Sequence, residues 1–179
     1  AADGSNRTPD TSAAQIARYE DLFRSIYPTS DLQLSVREGV SWNGTITAGG
    51  GGRNQLLDAF ADFRNSDGAA FDQYYYGIFN PAASFGAYCG NGCTAGLGYL
   101  PGVNDAYLRC SIGLGFSGDI ATETAAHEIG HNHGRDHAPC GVSGDSQYPH
   151  AGGRIGEWGY DLANNRLKSP TNHVDLMSY

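Results

Sequence analysis

An eleven-residue stretch in the second half of the chain carries the residue types and spacing of a metal site. It reads His127-Glu128-Ile129-Gly130-His131-Asn132-His133-Gly134-Arg135-Asp136-His137 and fits the pattern HExxHxxGxxH. Positions four apart lie on one face of a helix, so His127 and His131 can present two imidazole nitrogens to the same ion. Gly134 can adopt the left-handed conformation that ends a helix and turns the chain back, which would return His137 to the metal as a third ligand.

This ligand set predicts hydrolytic chemistry with one catalytic Zn²⁺. Three neutral histidines leave a coordination position for water, and the uncompensated charge of the ion lowers the pKa of that water to near neutrality. Glu128 would take the proton of the water and pass it to the leaving amine of a cleaved peptide bond. A structural zinc site would instead be closed by four protein ligands, usually rich in Cys, and would not need a carboxylate beside the first His.

The fourth histidine of the stretch is not expected to bind the metal. His133 lies two residues after His131, which rotates it well away from the ligand face of the helix. We interpret His133 as structural or surface-exposed. The alternative for the whole stretch is a helix whose histidines have unrelated core or surface roles, and the five fixed positions of the pattern argue against it.

A second signal lies forty residues after His137. The only methionine of the chain, Met177, stands in Asp175-Leu176-Met177-Ser178-Tyr179, and this stretch resembles the Met-turn of the metzincin clan of zinc peptidases. The resemblance implies a tight turn that forms an apolar base beneath the zinc histidines, whereas an isolated Met would be an ordinary core filler. Tyr179 matches the position where the astacin and serralysin branches carry a tyrosine that ligates zinc or stabilises the tetrahedral intermediate.

Within the clan, the HEIGHNHG stretch is most similar to the reprolysin (adamalysin) branch and its secreted bacterial relatives, where Asn at the position of Asn132 is usual. Two positions depart from that branch. Ala138 follows the third His where the branch generally has Asp, and the branch tends not to place a Tyr two residues after the Met. Neither departure touches the ligands or Glu128.

The resemblance implies an α/β metzincin-like (zincin) fold. We expect one catalytic domain over residues 1–179, with a twisted mixed β-sheet and the active-site helix in an upper subdomain of about 1–134. An irregular lower subdomain of about 135–179 would follow, with the cleft between the two. No strand precedes the first helix and no helix follows the Met-turn, so we expect flanking segments to be missing at both ends.

Metzincins bind substrate as an extended strand along the edge of the upper sheet. The segment 95–100 is our candidate for that edge, because the small residues among Gly96, Leu97, Gly98 and Tyr99 leave backbone groups accessible. An ordinary edge or hairpin strand is the alternative.

Composition limits the classes of function. The chain has 179 residues, 40% of them hydrophobic, and a formal net charge of −8. That length can bury a real core, no stretch approaches a membrane span, and the acidic balance argues against nucleic acid and membranes as partners. We expect a monomer acting on protein or peptide substrates. The chain begins Ala1-Ala2-Asp3 without an initiator Met or a signal-like apolar segment, which indicates a processed or recombinant fragment.

Four cysteines, Cys89, Cys93, Cys110 and Cys140, indicate disulfides. Their spacing does not fit a second zinc site, and four cysteines permit three connectivities. We favour Cys89 with Cys93 around a small Gly-rich loop, which leaves Cys110 and Cys140. Because disulfides persist in oxidising compartments, we expect a secreted protein.

Periodicity predicts the elements that must position the site. Thr11 or Ser12 caps a helix that runs to about Ile26, and a second helix covers about 54–65 after a flexible turn at Gly49–Gly52. Strands are predicted at 31–38, 73–79, 95–100 and 106–114.

Gly113, Gly115 and Gly118 form a GxGxxG stretch between the last strand and the active-site helix. A dinucleotide fingerprint would need a later strand ending in an acidic residue, which is missing here, so we interpret the glycines as a close-packed turn.

The sequence therefore predicts a secreted zinc-dependent metalloendopeptidase. The alternative is a zinc-containing binding or adhesion module that has lost catalysis, and the presence of Glu128 counts against it. Nothing in the sequence indicates a structural Ca²⁺.

Overall fold

A three-stranded mixed sheet, covered by helices, supports the histidine-rich helix. The computed structural model describes residues 5–162 and 164–178 of the chain. Within these residues the sheet consists of β1 (Tyr75–Phe79), β2 (Gly96–Gly98) and β3 (Cys110–Leu114), and the helices are α1 (Ala13–Ile26), α2 (Arg53–Ser66), α3 (Phe85–Cys89) and α4 (Asp119–Asn132). β3 is central, parallel to β1 and antiparallel to β2, so the predicted mixed sheet is confirmed.

The central strand is buried on both faces. Cys110 and Ile112 pack against Leu56 and Leu57 of α2. The opposite face of β3 is lined by small residues, and a Cβ at Gly113 would lie 3.1 Å from Thr124 of α4. Successive side chains of a strand point to opposite faces, so the large side chains of β3 lie on the α2 face and the small ones on the α4 face. The small residues let α4 approach the sheet closely.

Helix α1 packs on the other side of α4. Ser12, one of the two predicted caps, caps the helix by accepting a hydrogen bond from the backbone N–H of Gln15. Tyr19 and Phe23 of α1 then contact Ala121, Ala125 and Ala126 of α4 in one buried cluster. Alanines on this face allow the two helices to lie close together, which fixes α4 between α1 and the sheet.

The predicted helices agree with the structure, but the predicted strand at 31–38 is wrong. Residues 31–43 form no strand. Leu32 and Leu34 are partly buried against the α1–α4 cluster, while Val36 is exposed. The alternation thus reflects a loop that buries two side chains against the core, while its backbone pairs with no strand among the described residues. The other three strands are shorter than predicted, and Ala106–Leu108 is a 3₁₀ turn.

Both predicted glycine turns are present. Gly52 has a φ of 81° at the start of α2, within the turn predicted at Gly49–Gly52. Gly118 has a φ of 106° immediately before α4, and a Cβ at Gly115 would lie 2.5 Å from Pro9. The GxGxxG stretch is therefore a strand-to-helix turn in which Gly113 and Gly115 are closely packed by protein atoms and Gly118 supplies the positive φ.

The chain after Gly134 is mostly irregular. A 3₁₀ turn at Ala151–Gly153 and a hairpin of β4 (Gly159–Asp161) and β5 (Arg166–Lys168), which was not predicted, are its regular elements. The Asp161 carboxylate accepts hydrogen bonds from the backbone and side chain of Asn164, and these hold the pKa of Asp161 at about 2. No helix among the described residues is long and apolar enough to cross a membrane.

One of the two expected disulfides is present. Cys89 and Cys93 are joined and close a loop that contains Gly92 at a φ of 84°. The pairing left for Cys110 and Cys140 is wrong, because Cys110 is a thiol, fully buried in β3 among the side chains of α2. Burial raises the pKa of the Cys110 thiol to about 12, so Cys110 serves as a small core residue.

Truncation of the central strand should destabilise the whole sheet. Ile112→Ala removes a side chain with no exposed area and is expected to lower the free energy of unfolding by about 2–5 kcal/mol. Urea unfolding in the presence of a chelator measures this loss apart from metal binding. Val103→Ala is the matched control, because Val103 is 84% exposed and should change stability by less than about 0.5 kcal/mol. Equal effects of the two substitutions would contradict the burial of Ile112 between α2 and the rest of the sheet.

Candidate metal centre

The three histidines of the pattern converge at the end of α4. His127 and His131 lie on one face of the helix, four residues apart. Gly134, with a φ of 79°, turns the chain back, and the backbone N–H of Arg135 donates to the carbonyl of Gly130. This turn carries His137 to a position where one ligand atom from each of the three rings lies within 4.8 Å of the others.

Each histidine ring is oriented by a backbone carbonyl on its Nδ1 side. Nδ1 of His127 lies 2.9 Å from the carbonyl oxygen of Leu176, Nδ1 of His131 lies 2.8 Å from that of Arg135, and Nδ1 of His137 lies 3.3 Å from that of Ser143. A carbonyl oxygen can only accept, so each Nδ1 carries the proton in these contacts. The lone pair of each neutral ring is therefore on Nε2, the nitrogen available to a metal.

The arrangement fits a zinc ion. Nε2 of His131 and Nε2 of His137 are 3.1 Å apart, close to the separation of about 3.3 Å that tetrahedral Zn–N bonds of about 2.0 Å require. Two nitrogens that both present lone pairs repel each other at this distance unless a cation lies between them. Burial also lowers the pKa of His127 and of His131, which favours the neutral rings that metal binding needs.

Glu128 lies beside the histidines in a nearly closed space. Its side chain is enclosed between α4 and β2, and the residue is 7% exposed. Burial raises the pKa of Glu128 to about 8, against a smaller opposing effect of Arg53. A bound dication would favour the carboxylate form, because the charge of an ion outweighs the local desolvation of an adjacent acid.

The turn at Asp175–Ser178 lies directly beneath α4. The backbone N–H of Met177 donates to the Asp175 side chain and that of Ser178 to the Asp175 carbonyl. Met177 is 1% exposed, and a Cβ at Gly130 would lie 2.4 Å from its Sδ. Gly130 therefore allows the thioether to contact the helix between the two helical histidines.

The residue after His137 explains one departure from the reprolysin branch. Ala138 is 1% exposed, and its backbone N–H donates to the carbonyl of Met177 at 3.0 Å. A small apolar side chain fits this buried position under the turn, whereas a carboxylate there would need a compensating partner. Tyr179, the other departure, lies outside the described residues, and its catalytic role stays a prediction.

His133 points away from the other histidines into a stack of aromatic rings. Its ring lies between those of Tyr27 and Tyr74, with ring centroids 5.2 and 4.7 Å away. The sequence interpretation of His133 as structural or surface-exposed agrees with this position. The stack holds the C-terminal end of α4 against α1 and the residue preceding β1.

Two buried side chains that hold the site together were not predicted from the sequence. Asn132 is 3% exposed, and its Nδ2 donates to the carbonyls of Tyr99 at 2.8 Å and Cys110 at 2.9 Å, which ties α4 to β2 and β3. Arg53, also 3% exposed, donates to the carbonyls of Ala48 and Thr94. Asn132 could have been recognised as a polar residue on the buried side of the helix, but nothing in the sequence marks Arg53.

The candidate substrate strand is at an edge of the sheet. Gly96, Leu97 and Gly98 form β2, which among the described residues pairs only with β3, on one side, and Tyr99 follows directly. Leu97 points into the α2 cluster, while the two glycines face Glu128. The free edge and the carboxyl group of Glu128 are thus next to each other.

Two family models match the chain. The model described as metallo-peptidase family M12B reprolysin-like matches residues 25–138, more than half of the chain and the whole HExxHxxGxxH pattern. The model described as peptidase M66 matches residues 105–176, from the turn before β3 to the residue before Met177. No curated protein and no solved structure matches the chain.

Alanine substitution at His127, but not at His133, should abolish zinc binding. His127→Ala removes a converging Nε2 and should reduce bound zinc from about one ion per chain to nearly none after dialysis. His133→Ala should retain about one ion, because its ring stacks on tyrosines instead. Metal analysis of both purified variants gives the comparison, and equal zinc content in the two would contradict the assignment.

The stability of the zinc-free protein should depend on Met177. Met177→Ala leaves a cavity beneath α4 and should lower the free energy of unfolding by about 2–5 kcal/mol. Met177→Leu keeps most of the volume and should cost less than about 1.5 kcal/mol. Thermal unfolding with chelator present measures both, and a stable Met177→Ala variant would mean that the turn does not pack against Gly130 as described.

Proposed function

This chain belongs to the M12B reprolysin-like family of metallopeptidases, and we propose that it is a secreted zinc endopeptidase in which Glu128 activates the attacking water. The observation that carries the proposal is the convergence of one ligand atom from each of three histidine rings, each ring with a backbone carbonyl at its Nδ1, beside a buried carboxyl group. His127, His131 and His137 would hold one zinc ion. When bound, zinc would polarise the scissile carbonyl and lower the pKa of water.

The chain's own residues account for the movement of protons. Glu128 would take a proton from the attacking water at a carboxylate oxygen and pass it to the nitrogen of the leaving amine. Its enclosure between α4 and β2 limits the directions in which the carboxyl group can turn. The low exposure of His127 and Glu128 would also strengthen electrostatic interactions with the developing charge of the transition state.

Strand β2 would bind the substrate. An extended peptide can add to a free sheet edge through backbone hydrogen bonds, with little dependence on its side chains. The edge position of β2 and its closeness to Glu128 support this role for Gly96, Leu97, Gly98 and Tyr99. Protein or peptide substrates follow from the family, and Met177 would support the histidines from below.

The Cys89–Cys93 disulfide supports a secreted location, since such bonds persist in oxidising compartments. We also propose a division into an upper part of about residues 1–134 and a lower part of about residues 135–179, with the substrate cleft between them. The reversal of the chain at Gly134 supports this division.

Replacement of Glu128 should separate zinc binding from catalysis. Glu128→Ala and Glu128→Gln should each keep about one zinc ion per chain and lower the rate of casein cleavage by roughly 10²–10⁴-fold. Wild-type cleavage should stop on addition of a chelator and return with zinc. Full activity of either variant would overturn the role of Glu128. A wild-type protein that carries zinc but cleaves neither casein nor a panel of peptides would instead support a binding module.

A further inference from the structure

We propose that Gly96 is a positioning residue for the reaction, because the absence of a side chain there reserves the space that the Glu128 carboxyl group occupies. A Cβ built at Gly96 would lie 2.5 Å from Oε1, 2.6 Å from Cγ and 2.8 Å from Cδ of Glu128. Carbon atoms do not approach other heavy atoms so closely without displacement. The effect of Gly96 on the rate rests on the proposed function, whereas its effect on packing does not.

The requirement for glycine at this position is one of space and not of backbone conformation. Gly96 is absent from the glycines with positive φ and lies within a regular antiparallel ladder opposite Gly113. Any residue could adopt its backbone angles, and most residues favour a strand more than glycine does. A glycine is therefore locally unfavourable here, and the contact with Glu128 explains its presence.

The strand is held too firmly to move away from an added methyl group. The backbone N–H of Leu114 donates to the carbonyl of Ala95 at 3.0 Å, and Asn132 holds the carbonyl of Tyr99 at the other end. Arg53 holds the carbonyl of Thr94 just before the strand. Leu97 also anchors the strand in the α2 cluster. The Glu128 side chain, with its rotatable bonds, is the part that would yield.

The neighbouring glycine of the same strand has a different contact and provides a comparison. A Cβ at Gly98 would lie 2.7 Å from the backbone carbonyl oxygen of Glu128, 3.2 Å from its Oε2 and 3.3 Å from Cβ of His131, so its shortest contact is with the helix backbone. A methyl group there would press on the helix backbone and on a proposed zinc ligand. Gly98→Ala should therefore weaken zinc binding as well as stability, whereas Gly96→Ala should displace the carboxyl group and leave zinc binding unchanged.

A small displacement of the carboxyl group is sufficient for a large effect on the rate. Catalytic groups act within about 0.5 Å of their productive position, and a misplacement of about 1 Å can cost roughly 10²-fold. Backbone contacts of an added substrate strand do not require the Glu128 side chain. Gly96→Ala should thus lower kcat by about 10–100-fold with a change in KM of less than about threefold.

The first experiment compares three alanine variants of the full chain. Gly96→Ala should keep about one zinc ion and lose kcat, and Gly98→Ala should lose zinc affinity and melt at a lower temperature. Gly86→Ala in α3, where a Cβ meets nothing within 4 Å, should match wild type in zinc content and kcat and should melt no lower. A Gly96→Ala variant with wild-type kcat would overturn the proposal, and so would parallel losses of zinc and kcat.

A double-mutant cycle with Glu128→Ala tests the contact without any measurement of activity. Gly96→Ala should lower the Tm of the zinc-free protein by about 2–10 °C when Glu128 is present. In the Glu128→Ala background the methyl group enters vacated space, so the Tm should be unchanged or higher. A requirement for glycine that is unrelated to Glu128 would give the same loss in both backgrounds and overturn the proposal. The cycle measures Tm and can therefore be carried out even if the protein is inactive. A failure of the Gly96 proposal is thus distinguishable from a failure of the proposed function.

Discussion

The orientation of the three histidine rings depends on hydrogen bonds to backbone carbonyls from three different places. The carbonyl of Arg135 comes from the turn that ends α4, that of Ser143 from the loop beyond His137, and that of Leu176 from the turn beneath the helix. An unoriented imidazole could present either nitrogen, so these bonds decide which atom faces the metal. The irregular part of the chain is therefore as necessary to the site as the helix.

Two segments of that irregular part are joined beneath the helix. Arg135 and Asp175 approach to 3.5 Å, and Asp175 also accepts the hydrogen bond that shapes the turn at Met177. Ala138 bonds to the carbonyl of Met177 from the other side. The turn thus has contacts with the residues that immediately follow α4 and with the residue after His137. These contacts keep the third histidine and the floor of the site at a fixed distance from the helix.

Much of the site could be predicted from the sequence because helical periodicity and glycine conformation act locally. The shared face of His127 and His131, the reversal at Gly134 and the Ser12 cap all follow from residues within a few positions of each other. The Nδ1 partners could not be predicted, since backbone carbonyls have no residue-type signature. Cys110 was misjudged because a buried thiol and half of a disulfide look the same in a sequence. Leu32 and Leu34 give the alternating pattern of a strand, because a loop that packs on a hydrophobic core also buries every second side chain.

The contact between His127 and Leu176 joins residues 49 positions apart, and it has a consequence for the order in which the protein is assembled. The helix can form within its own segment, but the proton on the first ring is placed only when the distant turn has docked. During synthesis the complete pattern leaves the ribosome well before this partner does. A nascent chain therefore carries the complete pattern before the ring of His127 is oriented, and the three-histidine arrangement is assembled only after the turn has docked.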